Sequence, residues 1–444
     1  MLSTEIGYSY NDVTIVPSVI SNVSSRSECN VFTPNDDTKL PIFASPMASV
    51  VSEENYETFE KNNIIPILPR IKEYDINYRI DKLYKGWWVA VSLKEFKNEI
   101  MNELKEDCPN DFTFRVCIDI ANGHMKSLYD ACCQAKQLAY DRHIKLIIMT
   151  GNIANAQTYE WICENAYYIT TKDGYNYREC AIDYIRVGIG GGSGCITTSN
   201  VSIHYPQASL IDKCKKVKNE YENRYVRKFP SIVADGGIRN YDHVIKALAL
   251  GADYVMIGSV FAQCIESAGE KTTKSQYAKL PLKFPVERYK DFSVDQNGNV
   301  KAYYTDEFIE ENSKTWKEDL NEAQNLVKSG ELTKDDAEYK LVVLQYNDKI
   351  KELKEEKFIG PICVKFFGMA SADGQKSMNG EKTKTSEGIT KWLPVKYTLK
   401  GWTENMISYL RSAMSYCNCT NIKEFIGKPV LIINSISEIQ AVNK

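Results

Sequence analysis

The chain has 444 residues, 43% hydrophobic and 25% charged, with a formal net charge of −3. This is the balance of a globular protein, and it offers no global basic field to draw in nucleic acid. No apolar run reaches the ~20 residues that cross a bilayer, and the opening "MLSTEIGYSYNDVT" lacks the basic and apolar regions of a signal peptide, so neither a membrane span nor a leader is expected. Thirteen cysteines form no disulfide framework and no CxxC zinc pattern. Reduced thiols in a cytoplasmic protein, most of them small buried apolar residues, are the expectation.

In chain order, eight short apolar runs recur: "LPIFAS" (40–45), "IIPILP" (64–69), "WWVAVS" (87–92), "FRVCID" (114–119), "KLIIMTG" (145–151), "YIRVG" (184–188), "SIVADGG" (231–237) and "YVMIGS" (254–259). Continuous Val- and Ile-rich runs suit strands buried on both faces, as in a parallel sheet. Stretches with helical spacing lie between them, such as "YDACCQAKQLAYDRH" and "YDHVIKALALGA". Eight strands at βα spacing predict an α/β fold, a (β/α)8 TIM barrel. Nearly every run ends in small or polar residues ("SPM", "ANG", "TGN", "GIGGGSGC", "ADGG", "IGS"), which places unusual chemistry on the face formed by strand C-termini. After the eighth run the pattern breaks. Residues 270–360 are charge-dense, and "DEFIEENSKTWKEDLNEAQNLVKSG" and "LTKDDAEYKLVVLQYNDKIKELKEEK" read as a helical hairpin with a stop at Gly330. The expected organisation is a barrel with strands 1–8 over residues 1–269, a charged helical insertion over 270–360, and barrel completion over 361–444. The last part carries an active-site flap and, in "WTENMISYLRSAMSYC", the eighth barrel helix.

Two glycine-rich segments carry the chemistry. "VADGG" and "MIGS" close the seventh and eighth strands, where barrels bind phosphate through backbone N–H groups. Asp235 would repel a phosphate and instead suits sugar hydroxyls, so the pair suggests a ribose 5′-phosphate. "RVGIGGGSGCITT" (186–198) puts a thiol on a glycine loop, where a packing role is poor, so Cys195 reads as a nucleophile. Thr197, two residues on, can pass a proton. Gly190 and Gly192 leave carbonyls free to hold the loop through a monovalent cation.

This loop, with "ADGG", "MIGS", "FFGMAS" and "SEG", resembles the IMP dehydrogenase/GMP reductase family from "YNDVTIVPS" to the C-terminus, the 270–360 insertion excepted. The resemblance implies a (β/α)8 barrel, a homotetramer, a purine nucleotide (GMP or IMP) as substrate, and a covalent thioimidate between the cysteine and purine C2. A nicotinamide cofactor exchanges hydride with that carbon, and no flavin takes part. Cys195, Thr197 and Glu387 fall on the catalytic positions. Ser193, Asp235, Gly236, Gly237, Gly258, Ser259, Gly368, Met369 and Ala370 fall on the substrate side. Asp119, Asn122, Gly123, Gly151 and Asn152 fall on the cofactor side. The carbonyls of Gly190, Gly192 and Cys195 match a monovalent-cation site, with K+ as the implied ion.

Within the family, the dehydrogenases carry an Arg-Tyr pair on a flap before the glutamate. The corresponding interval here, "ASADGQKSMNGEKTKTS", has neither residue. "SRSE" at 25–28, "DIANG" and "SEG" resemble the reductase, whereas "SPM" and "CITT" resemble the dehydrogenase. Arg288 and Tyr289 are adjacent in "ERYKDF" of the insertion, where a flap moved into the insertion could restore the pair. The expectation is a GMP reductase using NADPH. The alternatives are an IMP dehydrogenase using NAD and a catalytically silent purine-nucleotide-binding protein.

Overall fold

The structure, a computed structural model, describes residues 4–34, 36–104, 112–170, 176–192, 197–273, 282–380, 386 and 388–435. Eight parallel strands close into a barrel: β1 (Ile42–Ala44), β2 (Ile65–Leu68), β3 (Trp88–Val91), β4 (Thr113–Ile118), β5 (Lys145–Ile153), β6 (Tyr184–Val187), β7 (Ser231–Asp235) and β8 (Tyr254–Ile257). β8 pairs with β1, Val255 opposite Ile42, which shuts the ring. Each strand falls on one of the eight apolar runs. Such runs form strands here because one set of side chains meets the surrounding helices and the alternate set fills the barrel interior.

The interior is plugged by Phe43, Ile67, Trp88, Ala90, Cys117, Met149, Val233, Tyr254 and Met256. Phe43 meets Trp88 and Tyr184 edge-on, with ring centroids 5.5 and 5.7 Å apart, the geometry that the aromatic quadrupole favours. The outer helices bury one stripe each. In helix Lys126–Asp141, Leu128, Ala131, Cys132, Ala135 and Ala139 are buried, a spacing of three and four that keeps them on one face. Eleven described cysteines are unpaired, and nine of them are buried. No helix among the described residues is long and apolar enough to cross a membrane.

The chain leaves the barrel after β8 and builds a second sheet before returning. Its strands are β9 (Lys271–Thr273), β10 (Leu282–Lys283), β11 (Tyr289–Val294), β12 (Asn299–Tyr304), β13 (Lys357–Phe367) and β14 (Thr390–Pro394). The eleven-residue β13 is the spine, pairing antiparallel with β9, β12 and β14. A small core of Ile265, Phe284, Val300, Ile362, Val364 and Val395 backs it. The expected hairpin is present as α1 (Asp306–Ser329) and α2 (Ala337–Lys354), capped at Thr305 and stopped at Gly330 with φ 84°. The strands on either side of it were not anticipated. β11 and β12 alternate charged and apolar residues because one face is exposed, so they lack the continuous apolar signature of the barrel strands. Arg288 lies over the Phe308 ring and Tyr289 stacks between Phe284 and Tyr304. Both are thus engaged within this inserted unit.

α3 (Leu399–Tyr416) then takes the eighth helical position. Its Trp402, 1% exposed, stacks on Tyr241 and meets Phe261 edge-on. Outside the barrel, Val13–Val16 pairs antiparallel with Val430–Ile433, and Tyr167–Thr170 with Asn176–Glu179.

Candidate active site

The alternation that fills the barrel also builds its mouth. Two residues beyond the inward Phe43, Cys117, Met149, Tyr184, Val233 and Met256 stand Ser45, Asp119, Gly151, Arg186, Asp235 and Gly258. A strand period of two carries each of these toward the same opening. Two cavities lie there. The first, about 220 Å³, is lined by Ser45, Met47, Gly192, Asp235, Gly236, Gly237, Ile238, Met256, Gly258, Ser259, Phe366, Gly368, Met369 and Ala370. The second, about 340 Å³, contains Arg70, Asp119, Asn152, Arg186, the run Gly188 to Gly192, and Met378. Gly192, Asp235, Gly236, Met369 and Ala370 line both, so one glycine-rich wall separates two adjoining spaces.

Of the substrate-side set read from the sequence, Asp235, Gly236, Gly237, Gly258, Ser259, Gly368, Met369 and Ala370 all line the first cavity. Gly368, Met369 and Ala370 arrive there because β13 ends at Phe367, directly before them. The returning strand is held in register, Phe367 opposite Thr390. Met47, Met256, Phe366 and Met369 give the cavity apolar, polarisable walls, which suit a flat aromatic ring. Its other end carries the backbone of the two glycine turns.

Of the cofactor-side set, Asp119 and Asn152 line the second cavity. Asn122, Gly123 and Gly151 are not among its lining residues. Asn122 Oδ1 accepts the His124 N–H at 3.1 Å, and the Gly123 N–H donates to the Asn152 carbonyl at 2.9 Å. A Cβ on Gly123 would fall 2.8 Å from Gly151 Cα, so only glycine permits this approach. Ser193, Cys195 and Glu387 lie outside the described residues, and Thr197 opens the short helix Thr197–Val201. The base of the glycine loop is held from two sides. Thr198 Oγ1 donates to the Gly190 carbonyl at 3.1 Å, and a ring nitrogen of His204 lies 2.8 Å from the Ile189 carbonyl.

The main feature that sequence reasoning missed is Arg186. Its side chain is 9% exposed and joins the two cavities electrostatically. Nη1 donates to Asp119 Oδ1 at 2.7 Å, and Nε donates to Asp235 Oδ2 at 2.9 Å. The two carboxylates hold the guanidinium pKa well above its usual value despite its burial, which acts the other way. Asn152 Nδ2 adds a donor to Asp235 Oδ2 at 2.8 Å and another to the Gly188 carbonyl at 2.7 Å. Asp235 Oδ1 has no hydrogen bond among the described residues, which leaves it for a ligand hydroxyl. His243 was also missed. One ring nitrogen is 2.9 Å from the Gly237 carbonyl and the other 2.9 Å from Asn11 Oδ1, tying the seventh-strand turn to the N-terminal segment. Burial lowers its pKa, and a neutral ring donates from one nitrogen only, Nε2 to Asn11 Oδ1, while Nδ1 accepts the Arg239 N–H at 3.3 Å.

Residues 90–280, most of the barrel, match the IMP dehydrogenase/GMP reductase domain. Over these residues the barrel is similar to the IMP dehydrogenase/GMP reductase family. Three similar relatives are the GMP reductases of Streptococcus agalactiae serotype V, Streptococcus pyogenes serotype M5 and Streptococcus gordonii. Each is 28% identical to this chain, over 269, 274 and 275 residues respectively, covering 59% of this chain and 72% of the relative. The similarity is consistent with an oxidoreductase of the IMP dehydrogenase/GMP reductase kind, with a nicotinamide cofactor and GMP or IMP as ligands.

Proposed function

We propose that this protein is a GMP reductase, converting GMP, NADPH and two protons to IMP, NADP+ and ammonium. The observation that carries the reading is the pair of adjoining cavities divided by the glycine wall that leads to Cys195. Gly192 lines both and stands three residues before that cysteine in the chain. Glu387 stands in the chain two residues before Ile389, whose carbonyl accepts the N–H of the cavity-lining Gly368 at 3.3 Å.

GMP fits the first cavity with its base between Met47, Met256 and Met369, its ribose on Asp235 Oδ1, and its phosphate on the N–H groups around Gly237, Gly258 and Ser259. The Cys195 thiolate adds to C2, the bond from C2 to the exocyclic nitrogen breaks, and ammonia departs with a proton passed from Glu387 through Thr197. The purine is then bonded to sulfur as a thioimidate. A reduced nicotinamide held beside Asp119 and Asn152 in the second cavity would supply the hydride that the reductive step consumes. Once C2 carries that hydrogen, the C–S bond breaks, the sulfur leaves as thiolate, and IMP is released. The residues of the second cavity fit a dinucleotide: Asp119 and Asn152 present polar groups beside a space of about 340 Å³. The Gly190, Gly192 and Cys195 carbonyls are the proposed donors to a K+ ion. Gly190 O already accepts from Thr198 and keeps one lone pair for the cation. The cytoplasm and a homotetramer are the setting this reading carries with it.

The reductase is favoured over the dehydrogenase by the absence of Arg and Tyr between Ala370 and Glu387 and by the engagement of Arg288 and Tyr289 within the inserted sheet. Incubation with GMP and NADPH, followed at 340 nm, tests it. Cofactor oxidation that disappears in Cys195→Ala is the expected result. NADH formation from IMP and NAD with no activity on GMP would make the protein a dehydrogenase, and inactivity in both directions would make it a silent nucleotide-binding protein.

A further inference from the structure

The helical hairpin leaves the inserted sheet at the end remote from the two cavities. Ala302 of β12 stands opposite Lys357, where β13 begins. Phe367, beside the site, ends that strand, about 33 Å away at ~3.3 Å per residue. Between α1 and α2 runs a groove of about 320 Å³. Its floor is Trp316, Leu326, Leu332, Val342 and Tyr346, each only half-buried. Its rim carries Asp319, Glu322 and Glu338. An adjoining space of about 520 Å³ shares Glu322 and Leu326 with it and adds Glu318 and Glu331. These five carboxylates have no ion-pair partner among the described residues. The hairpin's paired lysines go elsewhere, Lys340 to Asp335 and Lys349 to Glu352. Lys349 does reach the floor, 5.2 Å from the Trp316 ring centroid, but its ammonium stays committed to Glu352 at 2.7 Å. α1 as a whole carries seven acids against three lysines. Glu318 and Glu322 stand one turn apart, a like-charge spacing that destabilises an isolated helix. α2 buries none of its residues, although "LVVLQY" (341–346) is almost wholly apolar. A helix of that composition ordinarily has its apolar side covered.

We propose that this groove docks a basic amphipathic helix of a partner protein. Apolar anchors one turn apart fill the floor, and the Lys and Arg residues that flank them meet the carboxylates of the rim. The acid rim fixes the sign of the partner, because an acidic helix would add like charge to like charge. From Trp316 to Ser329, α1 rises about 20 Å, the length of a docked helix of about 13 residues. Docking at this end of β13 leaves both cavities open. The proposal stands apart from the reaction assigned to the barrel.

Fluorescence polarisation on the full chain, with labelled peptides of about 14 residues, tests the proposal. The probes are a Leu/Lys peptide with its leucines at helical spacing, a scrambled peptide of the same composition, and the Leu/Glu counterpart. The Leu/Lys helix should bind at least about tenfold more tightly than its scrambled form, and the Leu/Glu peptide should not bind. Binding should weaken as salt rises. Glu322→Lys/Glu338→Lys should cost about tenfold or more in affinity. Glu310→Lys/Glu311→Lys makes the same change in net charge at exposed α1 positions that line neither space, and should stay within about twofold of wild type. Leu326→Ser/Val342→Ser should lose binding with the charge untouched. Equal affinity for the ordered and scrambled Leu/Lys peptides, or equal losses in the two charge-reversal variants, would reduce the effect to general attraction by an acidic hairpin and overturn the proposal. A wild type that binds none of the probes overturns it as well. Self-association that depends on residues 306–354, with no peptide binding, would make a second copy of this chain the occupant and likewise overturn it. Should the floor variant fail to fold, the two charge-reversal variants, all at exposed positions, decide the matter.

Discussion

Replacing Arg186 by Met removes the one cation that the Asp119 and Asp235 carboxylates share. Those carboxylates are 19% and 15% exposed, so each would face the barrel mouth without a counter-charge, Asp235 keeping only the Asn152 amide. Breaking a buried ion pair from one side costs about 3–5 kcal/mol. At ~2–4 °C per kcal/mol for a domain of this size, the melting temperature should fall by roughly 6–20 °C. Arg186→Lys keeps the charge and loses the fork, and should fall between. The informative comparison is the triple variant Arg186→Met/Asp119→Asn/Asp235→Asn. Neutralising all three groups should return much of the lost stability, while turnover stays low because Asp235 no longer presents a carboxylate to the ribose. Scanning fluorimetry gives the melting temperatures, and the 340 nm assay gives turnover. If Arg186→Met melts within 2 °C of wild type and turns over GMP at the same kcat/KM, the ion-pair network across the two cavities has no energetic weight and the reasoning fails.

Three further outcomes follow from the same geometry. Burial lowers the Lys271 pKa from its usual 10.5 to about 8, against the opposing pull of Glu266, so its charge costs the fold ~3 kcal/mol at neutral pH. Between pH 8 and 10.5 the folded state releases that proton before the unfolded state does. Wild-type stability should therefore rise relative to Lys271→Met across this window, and a flat difference in denaturation midpoints would contradict the assignment. Gly190 has φ 76°, and an added Cβ would overlap Thr198 Oγ1. Gly190→Ala should cut turnover at least about tenfold with a melting shift under ~2 °C, because the fault is confined to the loop. Excising residues 306–354 and joining β12 to β13 through a short turn should leave both melting and turnover near wild type. Ala302 and Lys357 already stand opposite each other in the sheet, and no residue of α2 is buried; loss of the folded barrel on circular dichroism would refute this.

The barrel was legible because each of its strands is buried on both faces, so "WWVAVS" or "YVMIGS" needs no tertiary context to declare itself. The glycine turns were legible for a related reason: they cluster at one end of those runs. The inserted strands were not, because "YKDFSV" and "NVKAYY" turn Asp291 and Lys301 to solvent and bury only Val300 and Ala302. Read as a string, that alternation blends into the charge-rich helices beside it. Arg186 was hidden differently. Its partners are 67 and 49 positions away, so nothing local distinguishes it from a solvated arginine. The available signal was parity: it lies two residues past the inward Tyr184 on a strand with no solvent face, where a charge requires a partner.

The wall common to both cavities has a thermodynamic corollary. Three backbone segments, at Gly192, at Asp235 and Gly236, and at Met369 and Ala370, line both spaces, so neither pocket can be reshaped in isolation. Whatever factor the purine imposes on dinucleotide affinity, the dinucleotide must impose on purine affinity in equal measure. The sign of that reciprocity is set by how far the partition bends, and therefore by the stiffness of a few residues that carry no reactive group at all.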